Sequence, residues 1–97
     1  MKITESKLGA WTVLTLTGRI DQVGAEELEM VLLPHMAGRP VGLEWSGVDF
    51  VSSSGFRVLM RAEREQHARN GRLVLGNMRE SIRHLFDTAG LSQYFNI

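Results

Sequence analysis

The stretch Val48-Asp49-Phe50-Val51-Ser52-Ser53-Ser54-Gly55-Phe56 decides the fold. An apolar run before it reads as a buried strand, and a helical pattern follows it. Three hydroxyls and a glycine sit at the join, where a helix leaves its first backbone N–H groups unpaired. A serine there can cap those groups, and a phosphate carried on it would face the positive end of the helix dipole. Spacing alone favours the plain cap and leaves the switch open.

Upstream, Val41-Gly42-Leu43-Glu44-Trp45-Ser46 reads as a strand with Val41, Leu43 and Trp45 on one face, and Gly47 opens the central stretch. Downstream, a helix is expected from Gly55 or Phe56 to about Asn70, with Phe56, Leu59, Met60 and Ala62 as its apolar stripe. Asn70-Gly71 ends it, since both residues tolerate left-handed backbone. Leu73-Val74-Leu75 is a short interior strand. Asn77 followed by Glu80 has the form of a capping box. Ile82, Leu85, Phe86 and Ala89 then mark an amphipathic helix closed by Gly90. Leu91, Tyr94, Phe95 and Ile97 would dock the tail as a last short strand.

Toward the start, residues 2–8 suit an edge strand. Trp11 to Thr17 suits a second strand, and the brief Gly9-Ala10 break makes the two a hairpin. Gly18-Arg19-Ile20-Asp21 ends the second strand. A helix is expected from Ala25 to Ala37, with Leu28, Val31, Leu32 and Met36 inward, stopped by Gly38-Arg39-Pro40. Glu26, Glu27 and Glu29 form a solvated face near the positive end of its dipole. The alternation of strands and helices implies parallel crossovers beside an antiparallel opening pair. Loops leaving the carboxyl ends of strands carry function in such folds. Those at Gly18–Gly24 and Gly47–Gly55 are expected to lie close together.

The 97 residues suit one domain, spanning 1–97, and 43% hydrophobic content suits a packed core. Lys+Arg and Asp+Glu both number 11, which lacks the basic excess of a general nucleic-acid binder. There is no cysteine for a disulfide or thiolate zinc site. His35, His67 and His84 have no metal-ligand spacing, so no metal or cofactor is expected. No apolar run approaches a membrane span, and the N-terminal segment turns polar too early for a signal peptide. A cytoplasmic protein without membrane insertion is the expectation.

Enzymatic chemistry finds no support. Gly-x-Ser-x-Gly is absent, nothing ties His67 or His84 to Ser54, and no phosphate-cradling glycine loop is present. Arg57, Arg61 and Arg64 recur along one helix. A solubilising face is the simpler reading, and a partner-docking surface the sharper one.

Three segments resemble a known family. Leu16-Thr17-Gly18-Arg19-Ile20-Asp21 is similar to the strand-end signature of the bacterial anti-sigma factor antagonists, which are STAS-domain proteins. Val48 to Gly55 looks like their phosphorylation loop, and Leu85-Phe86-Asp87-Thr88-Ala89-Gly90-Leu91 resembles the end of their last helix. The three lie in the right order and spacing and span essentially the whole chain. The resemblance implies an α/β fold: a STAS-like small mixed β-sheet of four to five strands with an opening hairpin, packed with about three helices.

It also implies a function. Such proteins bind an anti-sigma factor with serine kinase activity and a histidine-kinase-like ATP fold, and so free the sigma factor. Phosphorylation of the serine before the loop glycine breaks the complex, and a serine phosphatase restores it. That serine corresponds to Ser54, with Ser53 the second choice. Asp21, Ser52, Ser53, Gly55, Phe56 and Arg57 are the implied partner-binding residues. One difference stands out: Ser52 occupies a position where the family usually carries an acid. That leaves room for an alternative, a non-switching STAS scaffold or a subunit of a signalling or lipid-transport complex.

Overall fold

The computed structural model describes residues 1–97. β1 (Lys2–Leu8) and β2 (Trp11–Ile20) pair antiparallel as the expected hairpin, with Gly9 at φ +61° in the turn. The chain then alternates through α1 (Gln22–Leu32), β3 (Val41–Val51), α2 (Ser53–Ala68), β4 (Leu73–Gly76) and α3 (Glu80–Thr88). The sheet order is β1-β2-β3-β4, and the pairs β2/β3 and β3/β4 are parallel. This is the mixed four-stranded sheet with three helices that the sequence suggests.

Register builds the core. Residues paired across neighbouring strands share a face of the sheet. Thr12, Val41 and Leu73 form one row and Leu14, Leu43 and Leu75 the next, and all six are buried. The helices cover this face with Leu28 and Leu32, Val58, Leu59 and Ala62, and Ile82 and Phe86. Phe86 is the aromatic centre, edge-on to Trp45 at 5.7 Å, to Phe56 at 4.8 Å and to Phe95 at 5.7 Å. The opposite face keeps Trp11, Val13, Thr15, Glu44 and Val74 half-exposed.

Several boundaries differ from the sequence reading, each for an identifiable reason. The first helix starts at Gln22, not Ala25, because Asp21 caps it. It ends at Leu32 and tightens into a 3₁₀ turn over Leu33–His35. Pro34 causes this, since its ring removes an N–H and excludes the next α-helical turn. β3 does not stop at Ser46. It continues to Val51 through register shifts opposite Thr15–Thr17 and Gly18–Arg19, so the extra residues lie on β3. These bulges break the alternation and let Trp45, Val48 and Val51 all point inward.

Asn77 is not the helix cap. It adopts φ +57°, and its side-chain amide donates to Glu44 Oε2 at 2.6 Å, while Arg79 takes the N-cap position of α3. Partial burial pushes the Glu44 carboxyl up, but the hydrogen bonds from Asn77 and Ser46 outweigh that and hold it below its usual range. Only Ile82 and Phe86 of the α3 stripe are buried; Leu85 and Ala89 are exposed. The tail does not form a strand. Phe95 is buried, and a single parallel bridge joins Asn96 to Val74.

Gln66 is the buried polar residue that periodicity missed. It is 1% exposed, and its side chain ties two loops together. Its Oε1 accepts from Gly38 N–H at 3.1 Å; its Nε2 donates to the Arg39 carbonyl and, at 2.9 Å, to the Arg72 carbonyl. Replacing it with a similar-sized apolar side chain strands the Gly38 N–H and the Arg39 carbonyl, while the Arg72 carbonyl keeps its bond from Val41 N–H at 2.9 Å. Gln66→Leu is expected to cost about 2–3 kcal/mol in urea unfolding; a loss below about 0.5 kcal/mol would contradict the staple.

Glu63, one turn earlier on α2, has Oε2 buried without a partner. Burial raises its pKa above the ordinary 4.5, and the nearby His67 charge opposes the rise only partly. The folded state therefore holds this proton more tightly than the unfolded chain. The resulting stability is fully present below the unfolded value and is lost as pH rises through the folded one. Glu63→Gln removes this dependence. Its stability relative to the parent is expected to rise as pH increases above the ordinary carboxylate value, read as the difference in unfolding midpoint; a constant difference would refute the assignment.

Candidate functional site

Two helix starts lie side by side at the carboxyl ends of β2 and β3. Ile20 pairs with Val51, and Ser52 N–H donates to the Ile20 carbonyl at 2.8 Å. The loops at Gly18–Gly24 and Gly47–Gly55 are therefore neighbours, as the topology predicts. Both helices begin with the same device. Asp21 Oδ1 accepts from Gly24 N–H at 2.8 Å, and Ser52 Oγ accepts from Gly55 N–H at 3.2 Å. In each case the cap is followed three residues later by glycine: Asp21-Gln22-Val23-Gly24 and Ser52-Ser53-Ser54-Gly55. This repeated spacing is the signal that could have placed the start of α1.

The glycines are there for space. A Cβ on Gly24 would lie 2.5 Å from the Arg19 carbonyl oxygen, and one on Gly55 would lie 2.8 Å from both Ile20 Cγ2 and Val51 Cγ2. Each helix thus presses its first turn against the end of β2. The helix starts carry unpaired N–H groups and partial positive charge at one place on the surface.

The three serines separate into distinct roles. Ser52 is the cap, with extended backbone at φ −90° and ψ 171°. It does this job without the carboxylate found more often there in the resembled family. Ser53 is exposed. Ser54 is half-exposed in the first turn of α2, and its Oγ accepts from Arg57 Nη2 at 3.2 Å. Gly55 is buried and Phe56 packs on Phe86, so these two turn inward and support the loop. Asp21 and Arg57 are exposed. Arg19, at the end of β2, lies 4.3 Å over the Phe50 ring at its paired position on β3.

A shallow groove between α1 and α2 runs from Ser54. Gln22, Glu26 and Glu29 of α1 line it with Arg57, Arg61 and Arg64 of α2. Glu29 pairs with Arg61 at 3.4 Å. The arginines of α2 are thus gathered beside the serine instead of being spread around the helix. His67 lies farther along α2, in a cleft with Glu63 and Tyr94, and His84 is exposed on α3. No group of three or more His, Asp or Glu side chains is placed to hold a metal ion. No helix is long and apolar enough to cross a membrane.

The division of labour among the serines is testable without a partner. Ser52→Ala is expected to lower stability by about 1 kcal/mol, while Ser52→Asp retains the cap. Chemical denaturation of both variants checks this, and an unchanged midpoint for Ser52→Ala would assign the cap elsewhere.

Comparison with known proteins follows this geometry closely. A family model described as Mlab, STAS domain, matches residues 3–96. A Bordetella bronchiseptica protein named as an anti-sigma factor antagonist, BtrV, is 28% identical over all of this chain and 85% of its own length. Among solved structures, a Thermotoga maritima protein described as an anti-sigma factor antagonist superposes with a TM-score of 0.88 at 12% identity, covering 98% of this chain and 84% of that one. The Bacillus cell fate determinant SpoIIAA in its phosphorylated form superposes with a TM-score of 0.74 at 21% identity, covering 97% and 88%. The structural likenesses bear on the fold, and with the match across residues 3–96 they place this chain in the STAS domain family.

Proposed function

We propose that this domain is a cytoplasmic anti-sigma factor antagonist, switched by phosphorylation of Ser54. The observation that carries the reading is the split between Ser52 and Ser54. Ser52 caps the helix start, which leaves the half-exposed Ser54 with only the exposed Arg57 side chain on its hydroxyl. A hydroxyl free of a structural task is available for modification. The name of the 28% identical relative and the existence of a phosphorylated form of the structural neighbour SpoIIAA support the same reading.

The partner in this reading is an anti-sigma factor that is also a serine kinase, and a serine phosphatase reverses its action. The domain is a substrate of that kinase and no enzyme itself. Asp21, Ser53 and Arg57, exposed around the paired helix starts, form the rim of the contact. Unmodified, the surface at Ser54 approaches the kinase closely. A phosphate adds about −1.5 to −2 charge and three acceptor oxygens. The helix N-terminus tolerates that charge within this domain. Across a close interface, the same charge must be desolvated or repelled, and the complex dissociates without the domain unfolding.

A second reading is a non-switching subunit of a signalling or lipid-transport complex. Ser52 favours it, because the acid usual at that position is missing.

Binding to a candidate anti-sigma factor kinase separates the two. Ser54→Asp is expected to weaken the complex by about two to three decades in Kd, roughly 3–4 kcal/mol, while Ser54→Ala binds like the parent. Equal binding by both variants would remove the switch and favour the constitutive subunit.

A further inference from the structure

We infer that Arg57 is the intramolecular receiver of a phosphate on Ser54, so that modification also withdraws an arginine from the docking surface. This rests on the proposal that Ser54 is the modified residue, and it adds what becomes of the charge afterwards. The contact already exists in the unmodified chain, with Arg57 Nη2 donating to Ser54 Oγ at 3.2 Å. Residues three apart on a helix are neighbours, so the pair closes within α2 and orders no other segment.

The surroundings favour Arg57 over other receivers. Arg61 is two turns from Ser54 and engaged by Glu29 at 3.4 Å, and Arg64 lies farther along the groove. The α1 wall carries Glu26 and Glu29, which repel a dianion toward the α2 side, and Asp21 at the start of α1 does the same. The Gly55 N–H is taken by Ser52 Oγ and the Phe56 N–H by the Ser52 carbonyl. A guanidinium presents a planar fork of donors that matches two phosphate oxygens. Arg57 is exposed and pairs with no acid, so turning to the phosphate gives up only its hydrogen bond to the Ser54 oxygen.

The consequence is a double change at one residue pair. The surface gains phosphate, and Arg57, held in the unmodified chain by one hydrogen bond to a neutral hydroxyl, becomes committed to a dianion and is withdrawn as a contact residue, of a type enriched among interface hot spots.

The test uses the full chain with phosphoserine installed at position 54 during translation, so no kinase is needed. Phosphorus NMR follows the second ionisation of the phosphate against pH in the parent and in Arg57→Gln. The N-terminus of α2, Asp21, Glu26, Glu29 and Arg61 are common to both proteins, so the difference isolates Arg57. The parent midpoint is expected about half a unit or more below that of Arg57→Gln. Coincident midpoints, or a lower one in the variant, overturn the inference. Because Arg57 is exposed, unmodified Arg57→Gln should melt like the parent, confirming that the fold is unaffected. Failure here leaves kinase recognition of Ser54 standing, and a kinase that ignores Ser54 leaves this result standing.

Discussion

The hydrogen bond from Ser52 N–H to the Ile20 carbonyl, 2.8 Å long, is the contact on which the rest of the site depends. It closes the parallel ladder of β2 and β3 at the point where both strands give way to helices. Without it, Asp21 and Ser52 would cap two unrelated helix starts. With it, the two starts become one surface. Gly24 and Gly55 make the approach possible, since a methyl group at either would collide with Arg19, Ile20 or Val51. The bulges of β3 serve the same end. They bring Val51 level with Ile20 while keeping Val48 and Val51 in the core.

That rigid frame shapes the chemistry of the loop. A serine in a loose turn could be modified, but its phosphate would have no fixed surroundings. Here the helix start is satisfied by Ser52, the loop is anchored beneath by Val51, Gly55 and Phe56, and Ser54 stands at the head of a groove of opposed charges. A domain built this way can change its surface without changing its fold. Under the proposed switch, the energy that separates bound from free lies in the partner's interface, where a charge must lose its water.

Much of this was legible in the sequence because it rests on local signals. The strand-to-helix join at Val48–Phe56, the hairpin at Gly9 and a strand at Leu73–Leu75 follow from periodicity and turn residues, but that strand lies at the sheet edge, paired to β3 alone apart from the one bridge to Asn96, and not in the interior as its apolar run suggested. The bounds of α1 were missed on local signals, the Asp21 cap and Pro34, but the other misses share a cause: the deciding partner is remote in sequence. Asn77 has the spacing of a cap, but its amide is claimed by Glu44 on another strand. Gln66 looks like any polar residue in the second half of α2, and only the folded chain places the backbones around residues 38–39 and 72 against it. The continuation of β3 beyond Ser46 depends on bulges opposite β2, which alternation cannot show. At the site itself, Ser54 and Asp21 were reached through family resemblance. The physical distinction of Ser54 from Ser52, and the grouping of Arg57, Arg61 and Arg64 along one groove, required the structure.

The most direct test of the proposed switch is to incubate the domain with a candidate anti-sigma factor kinase and ATP and map the phosphate by peptide mass spectrometry, following the complex in parallel. A single phosphate on Ser54, with the complex lost as it accumulates, is the predicted result. A phosphate confined to residues other than 52–54, or a complex that persists at full phosphorylation of Ser54, would contradict it.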